Sequence, residues 1–329
     1  MTLKDLHLVL YGQAFTFGLA GRGTPRGNPH PGSARDFVAL ARQYGLGGVE
    51  FGPHDFPELE SEAACRSLAE EMRTYGLRRV VALGYPDPAT VRAAARQARL
   101  FEAPTIRCVG SGILCGERAQ AKPDWPTYRD KLREDLRRCR PILEEFDCVL
   151  AVENHQDLHS GELVELCETT SPERIGVTLD TGNPLAVAED ILDFARRVKP
   201  YVRNIHLKDY RIQMTGEGYR LVRCALGEGV VDFPALLGLW AQAPAPPSFG
   251  IELAALQARH IRTATEDYWR TFPPEWRARY PSLARWLQAR TEPPDWDYRT
   301  PWERGSPPEE MLDYERTQLE RSIAYLQSL

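Results

Sequence analysis

The chain has 329 residues, 26% of them charged and 43% hydrophobic, with a formal net charge of -5. A (β/α)₈ barrel takes about 250 residues and an ordinary domain about 150, so the length admits two small domains or one barrel with an addition. The composition excludes a disordered or collagen-like chain. The acidic balance argues against a nucleic-acid partner, which needs a basic excess.

The chain begins MTLKDLHLVL, with Asp5 early and no basic region leading into an apolar stretch, so no secretory signal is expected. β-rich apolar runs then recur at 6–11, 47–52, 78–85, 105–111, 148–155, 175–182, 202–209 and 249–254. Their near-continuous apolar character suits parallel strands covered on both faces. Helical patterns fill 33–44, 59–75, 88–101, 127–146, 161–168, 185–198 and 232–242. Ser33 with Asp36, and Asp87 before Pro88, mark two of the helix starts. Strand alternating with helix predicts a parallel sheet, and eight strands predict a closed (β/α)₈ TIM barrel. An open doubly wound sheet is the weaker reading, because no GxGxxG follows the first strand.

Two segments interrupt the rhythm. Residues 12–32 form a Gly- and Pro-rich connection, and 210–231 read as a hairpin with GEG turns at 216–218 and 227–229. The uncharged stretch 233–251 contains Pro234, Pro244, Pro246 and Pro247, so it reads as helix, loop and strand, not as a membrane span. Past residue 255 the chain is rich in Pro, Arg and Trp, holding five of the seven tryptophans, and it ends in a helix over 308–327. The expectation is one domain over 1–329. Residues 1–254 make the barrel, and the extension 255–329 forms a lid or subunit contact over the rim, its last helix closing the barrel. The tryptophans are expected to pack more than to make a sugar platform. Seven cysteines, an odd count without a CxxC, predict reduced thiols and a cytoplasmic location.

Four late strands end in residues able to bind a divalent metal: Glu153, Asp180, His206 and Glu252. Their gaps of 27, 26 and 46 residues match one βα unit, another, and one unit plus the hairpin. All four therefore fall at the C-terminal rim, where barrel active sites lie. Strand alternation puts Ala151 with Glu153, Thr178 with Asp180, Asn204 with His206, and Gly250 with Glu252 on shared faces. If those faces point inward, the four converge on the barrel axis. Three converging carboxylates repel one another unless a cation sits among them. An oxygen-rich set with one imidazole suits Mn²⁺, Mg²⁺ or Co²⁺, with Zn²⁺ as a further option.

The strings LAVENHQD, GVTLDTGNP, NIHLKDY, LGEGVVDF and FGIELA resemble the sugar phosphate isomerase/epimerase superfamily, xylose-isomerase-like TIM barrels. The resemblance covers roughly residues 5–255. It implies that Glu153, Asp180, His206 and Glu252 hold one divalent metal ion, and that Glu153 and Glu252 are the proton-transfer pair. Free-ketose 3-epimerases carry a histidine three residues after the ligand aspartate and an arginine six after the ligand histidine. Here those positions hold Asn183 and Ile212, while the Asp180-Thr-Gly-Asn183 string with LGEGVVDF downstream looks more like the pentulose-phosphate epimerase branch, and inosose dehydratases share parts of it. The nucleic-acid branch needs more histidines than this chain has.

Other residues near the cluster each admit two readings. Lys208 shares the inward face with His206 and meets either a substrate oxyanion or a carboxylate. Glu50 binds a hydroxyl or pairs with a basic residue. Arg107 meets an anionic substrate group or pairs with Glu50. His155 contacts a sugar hydroxyl, acts as an acid, or is a plain loop histidine. Asn183 is a substrate contact by its place in the resemblance. Asp209 points away and reads as a cap, and His54 and Arg211 read as solvated. The expected function is metal-dependent isomerisation or epimerisation of a sugar, keto-sugar or sugar phosphate through an ene-diolate. A dehydratase or other lyase on a keto-sugar, keto-cyclitol or keto-acid is the alternative, and a non-catalytic sugar- or metal-binding barrel the third. The expected partner is a small carbohydrate, with no nucleic acid and no membrane, in a chain that can form homo-oligomers.

Overall fold

The computed structural model describes residues 2–253 and 256–329. Eleven strands are present among them: β1 (Leu6–Val9), β2 (Gly48–Phe51), β3 (Arg78–Ala82), β4 (Thr105–Val109), β5 (Val149–Glu153), β6 (Ile175–Asp180), β7 (Val202–Leu207), β8 (Asp209–Thr215), β9 (Gly218–Cys224), β10 (Ser248–Ile251) and β11 (Arg259–Ile261). Eight of them close into a parallel barrel, β1-β10-β7-β6-β5-β4-β3-β2. The remaining three form a separate sheet, β11-β9-β8. The expected hairpin is β8 and β9, with Thr215 opposite Gly218 at its turn.

Alternate strand residues divide into two chemistries. Leu8, Val49, Phe51, Val81, Ile106, Val152, Val177, Leu179, Ile205 and Ile251 belong to the apolar core shared with the helices. Burying each such side chain stabilises the fold by about 1.5–3 kcal/mol. The intervening His7, Glu50, Arg107, Glu153, Thr178, Asp180, Asn204 and His206 fill the barrel interior with polar groups. The hydrophobic core is therefore the ring between sheet and helices, and the centre is left for chemistry.

The surrounding helices are α1 (Ala34–Gln43), α2 (Glu62–Thr74), α3 (Pro88–Leu100), α4 (Trp125–Phe146), α5 (Ser160–Thr170), α6 (Ile191–Val198) and α7 (Phe233–Gly238). Ser33 and Asp36 form the capping box of α1, and the Asp87 carboxylate accepts from Ala89 N and Thr90 N at the start of α3. The single helix expected over 185–198 is two pieces: a 3₁₀ turn over Asn183–Val187, then α6. Asp190 causes the break, because its carboxylate accepts from Leu192 N and Asp193 N and starts a new helix. The uncharged stretch yields only α7 and β10, and no helix among the described residues is long and apolar enough to cross a membrane. All seven cysteines are free thiols.

The expected boundary at 254 and 255 lies outside the described residues. Beyond it come α8 (Glu266–Trp269), α9 (Pro274–Gln288), α10 (Pro301–Arg304) and α11 (Pro308–Ser328). The segment before α11 touches loops that come after β5 and β6. Tyr268 Oη donates to Ala186 O at 2.9 Å, and the Trp276 ring lies 4.9 Å from that of His159. Trp269 is buried against Tyr268 and Phe272 and donates to Thr263 O, so it serves packing. α11 meets α1 through Tyr44 Oη, which donates to Glu320, and α7 through an edge-on contact of Tyr325 with Phe233. Its Glu315 accepts from Phe15 N and Thr16 N, tying down the 12–32 connection.

Candidate active site and metal centre

Barrel register brings the four strand-end residues together. Asp180 on β6 stands opposite His206 on β7, and His206 stands opposite Gly250 on β10, two residues before Glu252. Glu153 closes β5 opposite Thr178. One ligand atom from each of Glu153, Asp180, His206 and Glu252 lies within 4.8 Å of the others, and all four residues are buried. The convergence expected from spacing and alternation is therefore present in the structure.

The hydrogen-bond pattern distinguishes this cluster from an ordinary polar network. His206 Nε2 lies 2.9 Å from Glu50 Oε2, which assigns the ring proton to that nitrogen. Nδ1 then presents a lone pair. It lies 2.7 Å from Glu252 Oε2 and 3.6 Å from Glu153 Oε2. The nearer contact lacks hydrogen-bond geometry, and Nδ1, Glu252 Oε2 and Glu153 Oε1 are all buried without a hydrogen-bond partner. Buried electron-pair donors left unpartnered within so tight a cluster call for a positive charge among them. A divalent cation fits that requirement, and these residues with Asp180 could hold it. Without a cation, burial opposes a charged His206, yet Glu50 and Glu252 outweigh it and push its pKa well above the imidazole norm. Asp180 moves up to about 6, driven first by burial and moderated by Lys208.

Most neighbouring residues take one of their two expected roles. Lys208 Nζ contacts Asp180 Oδ2 at 2.5 Å and Glu252 Oε1 at 3.2 Å, so it is a carboxylate partner in this structure. Burial disfavours its charge, but those carboxylates outweigh burial and raise its pKa. Arg107 pairs with Glu153, correcting the expectation of a pair with Glu50. Glu50 sits beneath His206, where its Oε2 also meets His7 Nε2 at 3.2 Å and accepts from Asn204 Nδ2 at 3.1 Å. Its contacts are with histidines and an amide, so its geometry is that of a group orienting His206. His155 is largely buried with Nδ1 unpartnered. Burial, then Arg107 and Lys208, push its pKa down to about 3, so it is neutral. Asn183 accepts from Tyr210 Oη at 3.0 Å, and its buried Nδ2 has no partner. His54 is exposed and Asp209 caps the second GEG turn, as expected, whereas Arg211, expected to be solvated, lies partly buried on β8 and pairs with Glu228.

Several contributors carry little signal in the sequence. Asn154 braces Asp180 through both its backbone groups, accepting from Asp180 N at 2.7 Å and donating to Asp180 O at 3.0 Å. Its only sequence signal is adjacency to Glu153. Gln156 holds a left-handed backbone (φ 84) and reaches Asn183 Oδ1 at 3.2 Å, a strained position of the kind found beside active sites. His7 leaves only the weak trace of a polar residue inside an apolar strand. Tyr210 packs on Gly182, where a Cβ would lie 2.4 Å from its ring, so the glycine of the Asp-Thr-Gly string permits this approach.

Relatives share this architecture. A curated relative, the uncharacterized protein YihM of Escherichia coli K12, is 27% identical over 139 residues, 39% of this chain and 43% of its own. A 3-oxo-isoapionate decarboxylase of Pectobacterium atrosepticum is 27% identical over 114 residues, 34% of this chain and 41% of its own. The matched part thus spans less than half of these curated relatives. Among solved structures, the IolI protein with a bound zinc atom superposes with a TM-score of 0.57 at 13% identity, covering 88% of this chain and 99% of that one. An L-ribulose 3-epimerase gives 0.56 at 14% over 88% and 99%. The probable 3-DHS dehydratase AsbF of Bacillus anthracis gives 0.56 at 14% over 75% and 92%. Those likenesses show the fold, and the relatives' chemistries span epimerisation, dehydration and decarboxylation. The description of the xylose isomerase-like TIM barrel matches residues 38–290, most of the sequence, and the chain belongs to that family.

Proposed function

We propose that the protein is a divalent-metal-dependent isomerase or epimerase of a sugar, keto-sugar or sugar phosphate, working by proton transfer through an ene-diolate. One observation carries the reading: one ligand atom from each of Glu153, Asp180, His206 and Glu252 lies within 4.8 Å of the others, while His206 Nδ1, Glu252 Oε2 and Glu153 Oε1 are buried without a hydrogen-bond partner. In that reading Glu153, Asp180, His206 and Glu252 hold the metal, and Glu50 with His7 and Asn204 fixes the His206 ring. The metal, Mn²⁺, Mg²⁺, Co²⁺ or Zn²⁺, supplies Lewis-acid stabilisation of the charge that develops on the substrate oxygen. Glu153 on β5 and Glu252 after β10 come from the two ends of the four-strand arc β5-β6-β7-β10, and in this reading one removes the proton α to the carbonyl and the other returns it. Arg107 on Glu153 and Lys208 on Glu252 hold the two carboxylates in place. His155, neutral, and the Asn183 amide are placed to contact substrate hydroxyls. General-base assistance of this kind gives about 10²–10⁴-fold. The extension acts within the same single domain as a lid, keeping water from the ene-diolate.

A second reading, a lyase acting on a keto-acid or keto-cyclitol, is favoured by the cationic Arg107 and Lys208 at the cluster, with the decarboxylase among the relatives as context. Both readings share the first proton or carbanion chemistry and differ in the fate of the carbanion. Turnover of keto-sugars and keto-acids in deuterium oxide separates them. Isomerisation or epimerisation adds deuterium to an intact skeleton, whereas dehydration removes 18 mass units and decarboxylation releases carbon dioxide. Activity must vanish in EDTA and return with Mn²⁺ or Co²⁺; undiminished turnover after metal removal sinks the proposal.

A further inference from the structure

The three-stranded sheet presents a second charged group to the barrel mouth. Tyr210 on β8 stands opposite Arg223 on β9, and Arg259 on β11 stands opposite Leu221, two residues along from Arg223. Tyr210, Arg223 and Arg259 therefore share one face of the sheet. That face is turned to the barrel, since Tyr210 Oη donates to Asn183 and Tyr219 Oη donates to Leu185 O at 2.6 Å. Residues of the opposite face, such as Arg211, Arg220 and His260, are partly exposed.

Arg223 and Arg259 are only 5% and 9% exposed. Neither has a carboxylate within 4.0 Å among the described residues, and the Nε of each is buried without a partner. The one side-chain hydrogen bond described for Arg223 runs to Gln257 O at 3.3 Å. A buried guanidinium without a counter-charge is costly and calls for an explanation. Nearby carboxylates do not supply one. With a divalent cation bound, Glu50, Glu153, Asp180 and Glu252 are balanced by that cation, Arg107 and Lys208, which leaves both arginines uncompensated in the metal-loaded protein.

We infer that Arg223 and Arg259 form an oxyanion site for a carboxylate or phosphate at the non-reacting end of the substrate. Planar guanidinium forks match both anions. The inference rests on the metal-site reading for its charge balance. It narrows the substrate to a sugar acid or sugar phosphate whose anion sits under the sheet while its keto-alcohol end meets Glu153 and Glu252. Both arginines come from segments added to the basic βα repeat, the hairpin and the extension.

The test uses the full-length, EDTA-treated protein, so that neither metal nor turnover enters. Inorganic phosphate, gluconate and neutral fructose are titrated by calorimetry and by thermal melting. Phosphate or gluconate should bind and raise the melting temperature while fructose does not. Whichever anion binds more tightly identifies the group as phosphate or carboxylate. Arg223→Gln and Arg259→Gln should each weaken that binding about tenfold or more. If a Gln variant fails to fold, Arg259→Lys serves, keeping the charge but losing the fork. Anion binding no stronger than fructose, or unchanged in both arginine variants, overturns the inference. Glu252→Gln keeps the anion response while losing metal, so failure of the metal reading and failure of the oxyanion site give different patterns.

Discussion

Two groups of buried carboxylates lie at the same end of the barrel and are treated in opposite ways. Glu162, at the start of α5, is met by Arg118 at 2.5 Å, Arg129 at 3.1 Å, the Trp125 indole at 2.9 Å and the backbone N of His159 at 3.1 Å. Asp209 is likewise satisfied, accepting from the backbone of Gly227, Gly229 and Val231. Glu153 and Glu252, by contrast, each keep an oxygen with no donor. Burial is the same in both groups, so burial does not mark function. What marks it is a set of acceptors that the protein itself leaves unmatched.

The sharpest way to break that contrast is to neutralise a member of each group. Glu252→Gln should lower turnover by about 10²–10⁴-fold and remove most of the rise in melting temperature that metal gives the wild type. Steady-state kinetics alongside calorimetric melting checks both halves, and a variant retaining full turnover removes Glu252 from the proton path. Asp209→Ala should do the reverse. Leaving several rim amides without an acceptor should cost about 1–3 kcal/mol of stability, read by urea unfolding, with the metal dissociation constant unchanged.

Metal linkage sharpens the same contrast. At a free metal concentration a hundred times its dissociation constant, binding should stabilise the wild type by about 2.7 kcal/mol, visible as a rise in melting temperature. Asp180→Asn should lose most of that rise. An equal rise in both proteins would place the cation elsewhere.

Glu315 is a third kind of buried carboxylate. Burial raises its pKa to about 7 from 4.5, although Phe15 N and the Thr16 groups hydrogen-bond to it. A carboxyl raised on folding is protonated in both states below about 4.5, where it costs nothing. Above that pH the unfolded chain releases the proton first, so stability falls as pH rises from about 4.5 to 7. The slope is on the order of 1 kcal/mol per pH unit. Glu315→Gln should flatten this part of the stability–pH curve, and an unchanged slope would assign the titration to another group.

Sequence period set which site residues were legible. Glu153, Asp180, His206 and Glu252 were legible because a strand places every second residue on one face and a βα unit returns the chain to the same height. Their partners were less so. Arg107 is inward by the same rule, but which carboxylate it meets depends on the barrel's circumference, and it meets Glu153 instead of Glu50. His7, 43 residues from Glu50, reaches it only because β1 and β2 pair. The helix expected over 185–198 failed for a local reason, a capping aspartate at 190 competing with an apolar periodicity that runs through it.

By itself, then, the sequence determined the alternation of strand and helix, the closed parallel sheet and the four residues at its rim, since these depend on spacing along the chain. Only the tertiary structure decided which acceptors lack donors, which cations are already paired, and that Arg223 and Arg259 lie on one buried face without counter-charge. The physical reason is that charge compensation is a property of distances between elements far apart in sequence. Residue type and spacing bring groups to the same level, but strand pairing and the hairpin's return over the barrel set which of them touch.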